Sequence, residues 1–313
     1  GDSSVVQDQL DQLQNVQQIQ ASEGSFAAIL ADGSVVLWGN LCIYSLVPRV
    51  PDFSEQLRML RNVREVQATI CAFAAILEDG SVVCCGPSQD GGNCSAVQDQ
   101  LQNVQQVQAT LQTTEEVLGS AFAAILGDGS VVSWGHPECG GNSTAVQDQL
   151  RNVQQLQATA GAFAAILADG SVVAWGDPGF GGDNSAVQDQ LRTVQQVQAT
   201  GSAFAAILVN GSVVTWGDLG GNSSAVQDQL KNVKQIQATN FAFAAISQDG
   251  SVVTWGRTDL GGDISDVQHQ LKGVEQIQAT NSAFAAILTD GSAVTWGRQS
   301  HGGDSSAVQD RLK

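Results

Sequence analysis

The side chains best suited to chemistry in this sequence are six cysteines, Cys42, Cys71, Cys84, Cys85, Cys94 and Cys139, and three histidines, His136, His269 and His301. Thiolates and imidazoles hold zinc when they arrive as two closely spaced pairs, and no C-x-x-C or comparable histidine pair is present. The cysteines therefore read first as small buried hydrophobes, with a disulfide among the first three repeats as the sharper alternative. A nucleophilic triad needs a base against a Ser or Cys and an acid behind that base. The histidines sit in or near Gly-rich connections, one in each of three repeats, without a fixed Ser or Cys partner in the sequence. Recurrent Gly-Gly-Asp and Gly-Gly-Asn segments suggest calcium, but they come once per repeat and lack the nine-residue ladder that stacks ligands. No Gly-rich loop precedes a helix to cradle a phosphate. The expectation is a protein that is not an enzyme and needs no cofactor or metal.

These residues hang on a repeat. The stretch SAFAAILVNGSVVTWG, Ser202 to Gly217, has near-copies anchored at Phe26, Phe73, Phe122, Phe163, Phe204, Phe243 and Phe284. In VQQVQAT, Val197 and Ala199 alternate with Gln and Thr, which reads as a half-buried strand. AFAAIL is apolar on both faces, as for a strand covered on both sides. Asn210-Gly211 follows, matched by Asp32-Gly33, Asp79-Gly80, Asp128-Gly129, Asp169-Gly170, Asp249-Gly250 and Asp290-Gly291. Asp and Asn tolerate a left-handed conformation before Gly, so a tight hairpin is expected. A third strand, SVVTWG, ends in Trp38, Trp134, Trp175, Trp216, Trp255 and Trp296, with Cys85 at that place in the second repeat. A Trp at one fixed place per repeat reads as packing. The SAVQDQL pieces fit an edge strand or a short helical turn equally well.

The expected repeat cores are 16–39, 63–86, 104–135, 153–176, 194–217, 233–256 and 274–297, within one domain over 1–313. Gly1 to Leu10 nearly repeats Gly303 to Leu312, which suggests a ring closed by overlap of the N- and C-terminal repeat pieces, leaving no open strand edge.

Two insertions break the spacing. The first, within Leu41 to Arg61, holds Tyr44, Phe53, Met59, Arg49, Arg58 and Arg61, with Arg64 just after. The second, Leu111 to Ser120, contains Glu115 and Glu116. In an antiparallel sheet the loop joining strands one and two and the loop leaving strand three emerge at the same end, so both insertions decorate one face of neighbouring repeats. Tyr44, Arg49, Phe53, Arg58, Met59, Glu115 and Glu116 are the expected partner-binding residues.

Composition narrows the partner. Thirteen Lys and Arg against 31 Asp and Glu give a net charge of −18, which repels phosphate backbones and anionic lipid surfaces. No apolar run reaches the length of a membrane helix, and Gly1 to Leu10 lacks a signal-peptide profile. The chain reads as soluble with no membrane insertion, its compartment open, including an organelle after removal of a targeting segment.

At D-G-x-V-x-x-W-G the chain resembles the regulator of chromosome condensation repeat family, whose members form seven-bladed propellers. Asp169-Gly170-Ser171-Val172-Val173-Ala174-Trp175-Gly176 fits, as do the copies at Asp32, Asp128 and Asp249, with Asn210 a near match. The resemblance covers essentially the whole chain and implies an all-β seven-bladed β-propeller. The chain departs from the family at Thr200 and Ala203, where the family has Gly and then His. It departs again at Gly220-Gly221-Asn222-Ser223, where the family has Gly-Gln-Leu-Gly. The family includes exchange factors for small GTPases, chromatin binders and propellers fused to ubiquitin ligase domains. No exchange residue maps onto a matching motif here, and the fold does not carry the activity with it. The expected function is a protein-interaction scaffold. The alternatives are guanine nucleotide exchange on a small GTPase and a peripheral structural subunit of a large organellar assembly, such as a photosynthetic membrane complex.

Overall fold

A computed structural model of the chain describes residues 15–22, 25–39, 60–110 and 119–311. Each of the seven repeats forms one three-stranded antiparallel sheet, here called a blade, with its strands in chain order. Blade 1 is β1 (Val16–Ala21), β2 (Ser25–Leu30) and β3 (Val35–Gly39); blade 2 is β4 (Val63–Ala68), β5 (Phe73–Leu77) and β6 (Val82–Cys85). Blade 3 is β7 (Val104–Ala109), β8 (Ala121–Leu126) and β9 (Val131–Gly135); blade 4 is β10 (Val153–Ala158), β11 (Ala162–Leu167) and β12 (Val172–Gly176). Blade 5 is β13 (Val194–Ala199), β14 (Ala203–Leu208) and β15 (Val213–Gly217). Blade 6 is β16 (Val233–Ala238), β17 (Ala242–Ser247) and β18 (Val252–Gly256); blade 7 is β19 (Val274–Ala279), β20 (Ala283–Leu288) and β21 (Ala293–Gly297). The fold class is all-β, as the repeat pattern predicts. The chain divides into two compact units, Gly1–Phe163 and Ala164–Lys313, with the boundary inside β11. The overlap expected to close a ring involves Gly1 to Leu10, which lies outside the described residues.

Register explains the burial pattern. In blade 5, Val194 pairs with Leu208 and Gln196 with Ile207, so one extra residue is accommodated at Gln195. This bulge turns Val194 and Val197 to the same side although their spacing is odd, and both are buried. β14 is buried along nearly its whole length, which its two apolar faces require. In the first unit, Ala74, Ile76 and Val82 of blade 2 pack in one cluster with Val107, Phe122 and Trp134 of blade 3. In the second unit, Ala205, Ile207 and Val213 of blade 5 pack with Ile236, Phe243 and Trp255 of blade 6. Leu101 and Leu230, which end the VQDQL segments, belong to these same clusters.

The hairpin turns differ in detail from the expectation. Only the Gly has a positive φ, +72° at Gly33 and +76° at Gly211, while the Asp or Asn before it does not. The Asp instead accepts two hydrogen bonds from the following Ser, as in Asp32, whose Oδ1 takes the Ser34 amide at 2.9 Å and the hydroxyl at 2.6 Å. Asn210 does the same for Ser212. Asp and Asn are required there as acceptors, and the turn is the three-residue type whose final residue is left-handed. The Ser hydroxyl is also the main reason Asp32, Asp79, Asp128 and Asp169 sit below the usual carboxylate range.

The SAVQDQL segments fold as 3₁₀ turns, for example Ser95–Val97, Thr144–Val146 and Gln227–Gln229. Their Gln side chains take over part of the work of a fourth strand. Gln98, Gln147, Gln188 and Gln227 donate Nε2 to the carbonyls of Val82, Val131, Val172 and Val213 at 2.9–3.1 Å. Those carbonyls lie on the outer edge of the third strand, where a sheet otherwise leaves acceptors unpaired.

Adjacent blades meet at a backbone contact. The turn Gly carbonyl accepts the first amide of the next blade: Gly33 from Val63 and Gly80 from Val104 in the first unit, Gly211 from Val233 and Gly250 from Val274 in the second, at 2.8–3.0 Å. The residue before that amide is left-handed in every case: Asn62, Asn103, Asn152, Thr193, Asn232 and Gly273. Asn and Gly adopt this conformation readily, whereas a β-branched residue is strained there. Thr193, at φ +60°, is the outlier. Replacing Thr193 by Asn is expected to stabilise the protein by about 1 kcal/mol, seen as a higher denaturation midpoint. An unchanged or lower midpoint would show that Thr193 carries no strain.

Candidate functional site

Every residue expected to bind a partner (Tyr44, Arg49, Phe53, Arg58, Met59, Glu115 and Glu116) lies outside the described residues. What the structure shows is where their loops are rooted. In blade 1, Ala21 pairs with Phe26 and Phe26 with Trp38; in blade 3, Ala109 pairs with Phe122 and Phe122 with Trp134. Each row marks one end of its blade. The first insertion follows the Trp38 end of blade 1, and the second leaves from the Ala109 end of blade 3.

The base of the second insertion is that of an ordinary repeat. In blades without an insertion, Thr69, Thr200 and Thr239 each accept at Oγ1 the amide of the residue three positions on, Ala72, Ala203 and Ala242, at 2.9–3.1 Å. Thr110 accepts the amide of Ala121 at 2.9 Å in the same way, although the intervening segment is much longer. The insertion is therefore grafted onto an unaltered blade. On its return side the Ser120 amide donates to the Gln89 carbonyl at 3.0 Å, and the His136 amide donates to the Ser120 carbonyl at 2.9 Å. Gly119 is packed so closely that a Cβ there would lie 2.6 Å from the Gln89 carbonyl oxygen and 2.7 Å from the His136 ring.

Around this root the first unit gathers groups that can exchange protons. Asp90 ends a short 3₁₀ turn, Ser88–Asp90, and is 4% exposed. Its counterparts before the paired glycines are Cys139, Phe180, Leu219 and Leu260, with His301 in the last repeat, so the carboxyl occupies a place given to an apolar side chain in most repeats. Burial pushes its pKa up to about 6, partly offset by the nearby His136. The Sγ of Cys139 donates to the Gly119 carbonyl at 3.3 Å and lies 3.8 Å from His136 Nδ1. The Ser120 hydroxyl is buried without a hydrogen-bond partner among the described residues. His136 therefore does have a Cys neighbour, three residues along its own link, which sequence spacing alone did not single out. Asp90 was missed altogether, although an acidic residue among apolar counterparts at one repeat position was visible in the chain.

The arrangement is not a nucleophilic triad, because the Cys139 sulfur is buried and turned to a backbone carbonyl. No group of three His, Cys, Asp or Glu suited to a metal occurs among the described residues. Cys84 and Cys94 form a disulfide with Cα atoms 5.9 Å apart, and Cys71 is also disulfide-bonded, so among the described cysteines the reading as buried hydrophobes holds for Cys85 and Cys139. Cys85 stands in the Trp position of blade 2, where burial pushes its thiol up to about 12. Arg64, grouped at first with the basic insertion, donates instead to the carbonyls of Val104 and Gln105 and ties blade 2 to blade 3. An open cleft of about 410 Å³ lies at the opposite, hairpin end of blade 3, lined by Gln105, Asp128, Asn152 and Gln154. The Asp128 carboxylate there is already engaged by Ser130.

No protein-family profile matches the chain, and no curated protein matches it. Solved structures similar to it include the receptor kinase CR4 ectodomain of Physcomitrella patens, 15% identical, covering 90% of this chain and 74% of that one, with a TM-score of 0.45. The CRINKLY WD40 ectodomain of the Arabidopsis thaliana receptor kinase ACR4 is 19% identical, with coverage of 89% and 96% and a TM-score of 0.45. Yeast RCC1 (Prp20), solved bound to Kap60, is 16% identical, with coverage of 90% and 70% and a TM-score of 0.44.

The raised Asp90 pKa fixes the sign of its effect on stability. The folded state favours the protonated carboxyl, so Asp90 is neutral in effect below the usual pKa of about 4, destabilises progressively as pH rises from there to about 6, and costs no more above that. Asp90→Asn is expected to stabilise the protein at pH 7 by on the order of 1–2 kcal/mol and to have little effect near pH 3.5, measured by denaturant unfolding at both pH values. An equal effect at the two pH values would remove burial of the carboxylate as the cause.

Proposed function

We propose that this protein is a non-enzymatic scaffold that docks a protein partner through the Phe–Trp end of blades 1 to 3. The observation that carries this reading is the base of the second insertion. Thr110 and Ala121 keep the hydrogen bond that Thr200 and Ala203 make without any insertion, so the blade is built at this point as in the other repeats. Extra chain on an unaltered scaffold is where recognition resides in repeat proteins. Tyr44, Phe53 and Met59 supply apolar anchors in the first insertion, and Arg49 and Arg58 choose an acidic partner against the −18 background. Glu115 and Glu116 in the second insertion answer basic groups at the edge of the same partner.

The experiment is capture of partners from native extract by the intact chain and by the Tyr44→Ala, Arg58→Ala double variant. The variant is expected to lose the specifically retained protein while melting at the same temperature as the parent. Equal retention by both chains would refute the docking site. Recovery of a small GTPase whose nucleotide release the chain accelerates would replace the scaffold reading with an exchange factor. Recovery in fixed stoichiometry with a membrane complex would make the chain a structural subunit.

A further inference from the structure

In several blades the link that leaves the third strand is held back against that strand by side chains at two fixed positions. In blade 5 these are Thr215 and Ser223, whose hydroxyls lie 2.9 Å apart, and in blade 7 Thr295 donates to Ser305 at 3.0 Å. Blade 2 has Cys84 and Cys94 at the same two places: Cys84 pairs with Ala74 as Thr215 does with Ala205, and Cys94 follows an Asn as Ser223 does. A disulfide there replaces the contact between hydroxyls. The rest of the link is alike, since Gln98 donates to the Val82 carbonyl at 3.0 Å as Gln227 does to Val213 at 2.9 Å. Blades 5 and 7 thus close without a covalent bond the link that blade 2 closes with one.

The bond can be reached, and its reduced form is provided for. Cys84 is half-buried and, with Cys94, Asn93, Ser95 and Gln98, lines an open cleft of about 380 Å³. Accessible disulfides exchange with external thiols more readily than enclosed ones. Cys94 Sγ lies 3.5 Å from Gln98 Oε1, the acceptor that Gln147 and Gln227 offer to the hydroxyls of Ser143 and Ser223. A thiol at Cys94 therefore has a partner already in place. Cys85, next along the strand, is 2% exposed and packs with Ala27 and Ile29 of blade 1, on the side away from Cys84, so it does not compete for either sulfur.

The ring of chain from Cys84 to Cys94 carries the contacts on which blade 3 rests. Its Gln89 carbonyl takes the Ser120 amide at 3.0 Å, its Asp90 carbonyl takes the Thr69 hydroxyl at 2.9 Å, and its Gly91 carbonyl takes the Trp134 indole N–H at 3.0 Å. We infer that the Cys84–Cys94 bond is a reversible redox site, opened by a dithiol reductant in the folded protein, and that its state sets how firmly the blade 2 link holds Ser120 at the root of the second insertion. A thiolate of the reductant attacks Cys84 Sγ, the more exposed sulfur; the bond to Cys94 breaks and its electron pair leaves on Cys94 Sγ. The reductant's second thiolate then attacks its own sulfur in the mixed disulfide and releases Cys84. The reductant leaves as a disulfide, and the two electrons and two protons it gives up leave Cys84 and Cys94 as thiols. With the ring open, the link is held only as it is in blades 5 and 7, and local opening at Gln89 costs less.

Two measurements on the full chain test this. In the first, the protein is treated with graded dithiothreitol, thiols are blocked with iodoacetamide, and the peptides carrying Cys84 and Cys94 are read by mass spectrometry while unfolding is followed on the same samples. Both cysteines are expected to label while the protein remains folded. Labelling that appears only where the fold is lost would overturn the proposal. In the second, amide exchange is followed by NMR in the oxidised parent and in the Cys84→Thr, Cys94→Ser variant, which installs the pair of blade 5. The Ser120 amide is expected to exchange about tenfold faster in the variant, with the Ala203 amide of blade 5 unchanged. Equal exchange at Ser120 would show that the bond does not set the hold on this root. Faster exchange at Ala203 as well would show that the bond supports the whole fold, and either result overturns the proposal.

Discussion

The structure depends on one close approach of backbone to backbone. At the hairpins of blades 1 to 6 the turn glycine lies against the left-handed residue that opens the next blade, and its carbonyl takes that blade's first amide. At Gly33, Gly80 and Gly129 a Cβ would come within 2.7–2.9 Å of the Cα of Asn62, Asn103 and Asn152. Glycine is needed twice over, for the positive φ and for the missing Cβ. Once this contact is set, the Ile of one blade meets the strand-one hydrophobe of the next, and the Phe–Trp stack, at 5.1–5.4 Å between ring centroids, fills the far end. The apolar clusters follow from the joint, because no blade alone can cover both faces of its middle strand.

The same joint explains which variation the chain tolerates. Before the turn Gly only Asp and Asn occur, since each accepts the amide and hydroxyl of the following Ser. The Phe–Trp end carries both insertions, a Cys in place of Trp, and an acidic residue in an apolar socket. Even a change in the link length is absorbed. Between Trp216 and its paired glycines the link is two residues shorter than elsewhere, and the Trp255 indole N–H is left buried without an acceptor. At Thr110 the blade keeps its hydrogen bond to the Ala121 amide although the joining segment is longer than in the other repeats.

Much of this was legible in the sequence, for physical reasons. Strand order, hairpins and double-sided burial of AFAAIL follow from periodicities that every repeat restates, so accidents in one copy do not mislead. The role of Asp in the turn was not legible, because an acceptor for the Ser amide and a left-handed residue before Gly call for the same amino acids. Nor could spacing distinguish an edge strand from a 3₁₀ turn in SAVQDQL. The deciding factor there is a Gln side chain reaching a carbonyl sixteen residues back, as Gln98 does to Val82. The pairing of Cys84 with Cys94 and the meeting of Asp90 with His136 join a link to another element, a relation that local pattern does not encode.

The most direct test of the joint compares Gly250→Ala with Gly291→Ala. Both glycines close the same turn, at φ +78° and +84°, so the conformational penalty is common to the two. A Cβ on Gly250 would lie 2.9 Å from the Gly273 Cα of the next blade, whereas one on Gly291 would meet nothing within 4 Å. The account predicts that Gly250→Ala loses about 1–3 kcal/mol more in denaturant unfolding than Gly291→Ala. Equal losses would show that the turn, and not the contact between blades, is what the glycine serves.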